Sequence, residues 1–168
     1  MQAGTPRGTI LITRPEQGCV EIAEALQAQN YQVICTPFIK VITDDFTLPD
    51  FSAYAGLIFT SANAVRALEG QDLNFDIPAF CVGTQTAETA QQARFTKVHN
   101  ADGSAQELNA LLSKQPHDKP YLYARGRDIS QDLKSISTLN IEEIIVYHTD
   151  KIEQIPQDTT ALLQAGQV

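Results

Sequence analysis

Hydroxyl-bearing residues stand in this sequence where a short apolar run passes into a helical pattern. Thr60 and Ser61 follow the apolar residues 56–59 and precede a helical pattern that starts at Ala62. A strand that turns directly into a helix capped by Thr or Ser leaves unpaired backbone N–H groups at the carboxyl end of a sheet. Such a helix N-terminus can bind an anion. A plain structural cap is the alternative, because every α/β protein contains turns of this kind.

Two more turns of this composition follow, at residues 83–86 and at residues 103–104. The latter stands before Glu107, which takes the third position of the next helix and predicts a capping box with Ser104. Capping and anion binding are compatible roles, because an anion docks at the cap position. The residues predicted to bind anions at the three turns are Thr60, Ser61, Asn63, Gly83, Thr84 and Ser104.

The composition of the 168 residues excludes several classes of protein. A formal net charge of −8 argues against nucleic acid as a partner. The sequence has no apolar run of about 18 residues, so no membrane-spanning helix is predicted. Its first residues lack the charged and apolar regions of a secretory signal. These features predict a soluble, cytoplasmic α/β protein.

Cysteine and histidine positions predict neither a disulfide nor a metal site. The cysteines are odd in number and far apart in apolar patterns, which is typical of buried thiols in a reducing compartment. The histidines lack the spacing of a ligand set. The residues concerned are Cys19, Cys35, Cys81, His99, His117 and His148.

Strand and helix patterns alternate along the chain, which predicts parallel sheets with right-handed crossovers. Pro15 suits the first turn of a helix that ends near Asn30, a plausible left-handed cap. Pro37 breaks an extended stretch, and a long strand broken by proline can pass from one sheet to another. Residues 125–128 are expected to open a helix, and residues 148–156 to form a polar connector. The predicted strands are residues 9–13, 31–36, 38–42, 56–59, 79–82, 96–99, 120–124 and 142–147.

The sequence also contains an internal repeat. Residues 10–37 and 121–148 each have the order strand, arginine, helix and strand, with Arg14 and Arg125 in equivalent places. The first copy is followed by the hydroxyl turn at residues 60–61, whereas the sequence stops before an equivalent turn follows the second. The repeat therefore predicts a truncated chain or a fragment.

These motifs, in this order and spacing, resemble the uroporphyrinogen-III synthase family, whose members close the tetrapyrrole ring. The resemblance implies two flavodoxin-like, doubly wound α/β domains joined by a two-strand linker, with one domain complete and the split one partial in this chain. The matching segments are residues 13–15, Pro37 and residues 58–65, 82–87, 103–108, 123–126 and 146–149. The implied organisation is residues 1–36 as the first part of the split domain, 37–42 as a linker, 43–146 as the complete domain, 147–152 as the second linker and 153–168 as the start of the return into the split domain.

The resemblance further implies a reaction. The family's substrate is hydroxymethylbilane, a flexible linear tetrapyrrole polycarboxylate. It loses water while its last pyrrole ring inverts and the macrocycle closes in the cleft between the domains. Such a reaction requires anion binding, enclosure and orientation rather than covalent catalysis. Backbone N–H groups and hydroxyls at helix starts bind carboxylates without a positive net charge, so an acidic protein is compatible with this substrate.

More site residues follow from the resemblance. Tyr147 matches a tyrosine that the family keeps at the linker, and its phenol could donate a proton to the departing hydroxyl as a general acid. Thr86 matches a family threonine at a helix start and could hold a carboxylate. The alternatives are a buried tyrosine at a strand end and an ordinary helix cap. Arg14 and Arg125 complete the substrate-binding set, unless they form surface ion pairs of little energy. The cations expected near the cleft are Arg14, Lys40, Arg125, Arg127 and Lys151.

A non-catalytic relative that binds a tetrapyrrole or another anion is the alternative function that the sequence leaves open. Two other classes are disfavoured. A response regulator would need an acidic cluster where Thr13 and Arg14 stand, and a Rossmann dehydrogenase would need Gly-x-Gly-x-x-Gly after the first strand. The expected molecule is a cytoplasmic monomer with no cofactor, metal, nucleic acid or membrane partner. The preceding enzyme of the pathway is a candidate partner.

Overall fold

The computed structural model describes residues 5–166 except residues 102, 116–117 and 130–131. His117 therefore lies outside the described residues. The chain divides into two compact units. One, called here the small unit, comprises Met1–Ile42 and Thr149–Val168, and the other, called the sheet unit, comprises Thr43–His148. Within the described ranges, no helix has the length and apolar character needed to cross a membrane.

Strands and helices alternate along the described chain. The strands are β1 (Thr9–Ile12), β2 (Gln32–Cys35), β3 (Ile39–Thr43), β4 (Gly56–Phe59), β5 (Ala79–Cys81), β6 (Val98–Asn100), β7 (Tyr121–Gly126) and β8 (Ile141–Lys151). The helices are α1 (Glu16–Gln27), α2 (Ala62–Ala67), α3 (Thr84–Gln92), α4 (Ala105–Leu112), α5 (Leu133–Ile136) and α6 (Gln157–Gln164).

The small unit is built on a parallel pair of strands. β1 pairs with β2, and α1 connects them. The chain leaves α1 through Asn30, whose φ of 66° is the left-handed conformation that the sequence predicts. α6 belongs to the same unit, and the buried hydroxyls of Thr36 and Thr159 lie 2.8 Å apart, in hydrogen-bond contact. This bond ties the end of β2 to α6.

Two of the cysteines contradict the prediction of separate buried thiols. Cys19 of α1 and Cys35 of β2 form a disulfide, with their Cα atoms 6.0 Å apart. Cys19 is buried, but Cys35 is exposed. The prediction is wrong because a β-α-β crossover brings the end of β2 beside α1, which spacing along the chain does not reveal. Cys81 is a free buried thiol, as predicted, and burial raises its pKa to about 12.

The main sheet has six strands in the order β3-β8-β7-β4-β5-β6. The ladders that join β8, β7, β4, β5 and β6 are all parallel. β1 is in the separate two-stranded sheet with β2. The prediction of an α/β fold with a mostly parallel sheet is confirmed.

Both faces of this sheet carry an apolar core, because successive side chains of a strand point to opposite faces. Leu57 and Phe59 of β4 belong to the core that contains α2 and α3. Ile58 of β4 and Tyr121 and Tyr123 of β7 belong to the core that contains α4 and α5. Near-continuous apolar strands such as β4 are typical of a parallel sheet covered on both sides.

The strand order reverses at β4. From β4 the chain adds β5 and then β6 on one side, and it returns to add β7 and then β8 on the other side. When β4 to β8 are numbered 1 to 5 in chain order, they lie in the sheet in the order 3-2-1-4-5. A flavodoxin-like sheet has the order 2-1-3-4-5. The prediction of a flavodoxin-like domain is therefore wrong in its strand order, although the sheet is doubly wound as predicted. Ligands in such sheets bind at the carboxyl ends of the strands beside the reversal, here β4 and β7.

The largest departures from the predicted bounds concern two regions of the chain. β7 continues through Arg125 and Gly126, and the next helix starts only at Leu133 after its cap Asp132, so residues 125–128 do not open a helix. β8 continues to Lys151, through residues predicted as a polar connector. Both strands are extended by pairing with neighbours that are distant in sequence, since β8 has β7 along one edge and β3 along the other.

Candidate active site

A cavity of about 520 Å³ opens at the carboxyl ends of the central strands of the sheet unit. It lies beside the strand reversal between β4 and β7. Four residues predicted from the sequence line it: Thr60, Ser61, Ser104 and Tyr147. The other lining residues are Val82, Gly103, Ala105, Gln106, Tyr123, Gly126, Asp128, Ile129 and Leu133.

Thr60 is held by a tyrosine of the neighbouring strand. Its Oγ1 lies 2.7 Å from the hydroxyl of Tyr123. Tyr123 is 2% exposed, and this burial raises the pKa of its phenol. The phenol therefore stays protonated at neutral pH and fixes Thr60 at the cavity wall. Tyr123 is not among the predicted site residues, because an aromatic residue in a buried strand is typical of a core. The sequence signals for it are its place near the carboxyl end of β7 and its position in the family-matching segment 123–126.

Tyr147 of β8 lies with its ring against Gly126 of β7. A Cβ atom at Gly126 would lie 2.7 Å from Cζ of Tyr147, so the ring requires glycine at this place. The main chain fixes the same region, because the N–H of Arg127 donates to the carbonyl oxygen of Tyr147 at 2.8 Å. Among the described residues, the Tyr147 hydroxyl has no hydrogen-bond partner. It is therefore available to a molecule in the cavity.

Asp44 anchors the residues next to Tyr147. Its Oδ1 accepts a hydrogen bond of 2.7 Å from Nη2 of Arg127 and lies 2.8 Å from Nδ1 of His148. The Asp44 side chain is 16% exposed, so salt screens these contacts less than those of a surface pair. The Asp44 anchor thus connects the chain just after β7 to the residue that follows Tyr147 in β8.

The serine hydroxyls at the cavity also cap helices. Oγ of Ser61 accepts a hydrogen bond of 3.2 Å from the N–H of Asn63. Ser104 forms the predicted capping box, in which its N–H and its hydroxyl donate to Oε2 of Glu107 at 3.1 and 2.8 Å. A ligand carboxylate at Ser104 would have to displace the side chain of Glu107, whereas the Ser61 hydroxyl has no such internal acceptor in the described chain.

Four predicted binding residues do not line the cavity: Asn63, Gly83, Thr84 and Thr86. Thr86 is buried in α3, with 6% of its surface exposed. Gly83 caps α3 with a φ of 85°, a conformation that favours glycine. Thr84 Oγ1 lies 3.5 Å from Nδ2 of Asn100, the last residue of β6.

The predicted cations do not line the cavity either. Arg125 is 15% exposed at its side chain, with Nη2 at 3.3 Å from Glu143 Oε2 and Nη1 donating to the carbonyl oxygen of Gly126 at 2.9 Å. Arg14, Lys40 and Lys151 belong to the small unit, where each is exposed. No group of His, Cys, Asp and Glu side chains among the described residues could hold a metal ion.

Comparisons with known proteins agree on one family. A family model described as Uroporphyrinogen-III synthase HemD matches residues 20–168. A putative uroporphyrinogen-III synthase of Archaeoglobus fulgidus is 26% identical over 149 residues, which cover 86% of this chain and 62% of that protein.

Solved structures give the same result. Uroporphyrinogen-III synthetase of Helicobacter pylori matches with a TM-score of 0.58 and 26% identity, over 79% of this chain and 62% of that one. A mutant uroporphyrinogen III synthase of the bacterium Thermus thermophilus matches with a TM-score of 0.53 over 96% of this chain and 70% of that one, but at 11% identity this likeness shows the fold alone. The chain thus spans 62% of the length of the archaeal and Helicobacter relatives. With the family model covering most of its length, the chain belongs to the uroporphyrinogen-III synthase family.

Proposed function

We propose that this chain is the part of a uroporphyrinogen-III synthase that holds Tyr147 and the surrounding cavity. The whole protein cyclises hydroxymethylbilane with inversion of the last pyrrole ring and loss of water. The observation that carries the proposal is the cavity at the strand reversal. The hydroxyl of Tyr147, which has no hydrogen-bond partner among the described residues, lines this cavity together with Thr60 and Ser61. The reaction is inferred from family membership, and the cavity is the proposed place where it occurs.

Tyr147 acts in this proposal as the general acid. Its hydroxyl donates a proton to the hydroxymethyl oxygen, so that the oxygen leaves as water and not as hydroxide. The contact of its ring with Gly126 and the main-chain bond to Arg127 support this role, because both restrict where the phenol can point. A fixed donor needs little reorganisation at the moment of reaction.

Neutral donors hold the substrate carboxylates. Thr60 and Ser61 are the first candidates, because their hydroxyls line the cavity. Ser104 is a weaker candidate, because Glu107 already occupies its donors. Arg125 takes part only if it leaves Glu143. Of the remaining residues of the predicted binding set, Arg14, Asn63, Gly83 and Thr84 bind parts of the substrate that lie outside this cavity. Thr86 is buried in α3 and keeps a structural role.

The finer organisation is also part of the proposal. Residues 43–146 form the complete domain, residues 37–42 and 147–152 are linkers, and residues 1–36 and 153–168 belong to a split domain. The enzyme is a hydro-lyase that works as a monomer in the cytoplasm, where the preceding enzyme of the pathway is a candidate partner. The Cys19–Cys35 disulfide removes the cysteine argument for a reducing compartment, so the cytoplasmic location rests on the family's pathway alone.

A ring-closure assay tests the function. The whole protein that carries this sequence is incubated with hydroxymethylbilane, and the product isomers are separated after oxidation to porphyrins. Isomer III is expected in excess over isomer I, the product of spontaneous closure. Only isomer I, together with tight binding of the linear substrate, would instead identify a non-catalytic tetrapyrrole-binding relative.

A further inference from the structure

Asp128 is a charged residue in a cavity that is otherwise neutral. Of the described residues that line the cavity, it alone carries a formal charge at neutral pH. The others are apolar residues, glycine, hydroxyl residues and one glutamine. Asp128 is exposed, so its carboxylate is accessible to a molecule that enters.

The cations near Asp128 in sequence are engaged elsewhere. Arg127 binds Asp44 at 2.7 Å, and Arg125 binds Glu143 at 3.3 Å. Within the described part of the chain, Asp128 has no ion pair and no side-chain hydrogen bond. Among the described residues, the carboxylate is therefore neither neutralised by a cation nor held by a hydrogen bond.

The sheet places Asp128 near the proposed general acid. The N–H of Arg127 donates to the carbonyl oxygen of Tyr147 at 2.8 Å, so β7 and β8 are still paired one residue before Asp128. Both Asp128 and Tyr147 then line the same cavity. A carboxylate just after β7 and a phenol of β8 thus line the same cavity.

A free carboxylate opposes the binding of a polycarboxylate, because like charges repel. Such a group assists a reaction only if it stabilises the transition state more than it disfavours the bound substrate. The proposed reaction offers that opportunity, because departure of the hydroxyl leaves a cationic carbon conjugated with a pyrrole ring. A nearby negative charge stabilises this cation.

Resting on the proposed function, we propose that Asp128 stabilises the cation and then accepts the proton that the terminal pyrrole ring loses. The C–O bond breaks with its electron pair on oxygen, which takes a proton from Tyr147 and leaves as water. The terminal ring first bonds to the cationic carbon with a π-electron pair, through the α-carbon that carries its bridge to the third ring. The bond to that bridge then breaks with its electron pair returning to the terminal ring, which leaves a cationic bridge carbon on the third ring. The terminal ring bonds to this carbon through its other α-carbon, so that it is inverted in the closed macrocycle. That α-carbon loses its proton to Asp128, and the C–H electron pair restores the aromaticity of the ring. The proton returns to the Tyr147 oxygen through water, so both groups are regenerated and one water is released for each ring closed.

The test is the variant Asp128→Asn in the whole protein, which keeps the shape of the side chain and removes its charge. We expect kcat to fall about 10- to 100-fold, within the range of one general base. KM should stay equal or fall, because repulsion of the substrate carboxylates is removed, and isomer I should increase. Asp128→Glu should recover part of kcat. Glu88→Gln, on the exposed side of α3, is the control for loss of one negative charge and should leave kcat unchanged.

A lower kcat together with an unchanged or lower KM distinguishes this role from a structural one. A kcat of Asp128→Asn within about twofold of wild type, or a raised KM with kcat unchanged, would overturn the inference while the proposed function stands. A wild-type protein that forms no isomer III would overturn the proposed function and this inference together. The melting temperature of Asp128→Asn should match wild type, because the side chain has no partner to lose among the described residues.

Discussion

The two cavity tyrosines differ in what their hydroxyls contact. The Tyr123 hydroxyl lies 2.7 Å from Thr60 in a buried place, whereas the Tyr147 hydroxyl has no partner among the described residues. A hydroxyl that is already bonded helps to position its neighbour. An unbonded hydroxyl at a cavity wall can donate to a ligand without first breaking a bond within the protein.

Removal of the Tyr147 hydroxyl should therefore affect turnover more than binding. In Tyr147→Phe we expect kcat to fall roughly 10- to 10³-fold, the size of one general-acid contribution, with little change in substrate affinity. Tyr123→Phe is the matched control, because it removes the same atom one strand away. It should cost about 0.5–1.5 kcal/mol of stability through the lost bond to Thr60 but reduce kcat less. Full isomer-III activity in Tyr147→Phe would make Tyr147 a structural residue.

Gly126 should be needed for the position of the Tyr147 ring. A Cβ atom there would lie 2.7 Å from Cζ of Tyr147, so Gly126→Ala must move the ring. We expect a loss of kcat comparable to that of Tyr147→Phe and a destabilisation of roughly 1–3 kcal/mol, as for overpacking. Gly8→Ala, where an added Cβ meets nothing within 4 Å, is the control. Steady-state kinetics and urea unfolding measure both effects; wild-type kcat in Gly126→Ala would contradict the proposed ring position.

Among the contacts between elements, Tyr54, which lies just before β4 and outside the cavity, connects this part of the chain to β8. The hydroxyl of Tyr54 donates to Oε2 of Glu142 at 2.7 Å, and this bond raises the pKa of Tyr54 to about 12. The folded state therefore retains the proton that the unfolded state loses near pH 10. The stabilisation is present below about pH 10 and is lost as the pH rises towards 12.

The variant Tyr54→Phe tests this coupling. At pH 7 it should be less stable than wild type by about 0.5 kcal/mol, the low end for one hydrogen bond because the pair is exposed to solvent. Between about pH 10 and 12 the difference should shrink, since the wild type loses the bond there. Urea unfolding of both proteins at pH 7 and pH 11 measures this difference in the free energy of unfolding. A difference that grows with pH would show that the sign of the coupling is wrong.

Local patterns predicted those elements whose causes are local. The capping box of Ser104 with Glu107, the left-handed Asn30 and the break at Pro37 each depend on a few adjacent residues, and all are present. The full length of β8 and the disulfide of Cys19 depend instead on partners distant in sequence, and both differ from the prediction.

The candidate site was predictable only in part for the same reason. The turns at Thr60 and Ser104 are local signals, and the cavity brings them together with Tyr147. Strand order brings β7 beside β4, so Tyr123 and Asp128 join the turn after β4 at the cavity without having been predicted. Thr84 is absent from the lining, although Val82 and Ser104 on the same side of the sheet belong to it.

At the scale of the whole molecule, the thiol count tests the disulfide of the small unit. We expect no rapid reaction of the native protein with a thiol reagent, because Cys81 is buried and burial raises its pKa to about 12. Denaturation without reductant should expose one thiol, and denaturation with reductant three. Reduction should also destabilise the protein by about 3 kcal/mol, the scale for a loop of this length. Three reactive thiols without reductant would contradict the disulfide.

We propose that the tetrapyrrole binds in the cavity beside the strand reversal. A crystal structure of the whole protein with a cyclic tetrapyrrole polycarboxylate tests this binding site. We expect the macrocycle at the carboxyl ends of β4 and β7. At least one carboxylate should lie about 2.5–3.0 Å from the hydroxyl of Thr60 or Ser61, with the Tyr147 hydroxyl facing the ring. A macrocycle bound at the amino ends of these strands, with the cavity unoccupied, would contradict it.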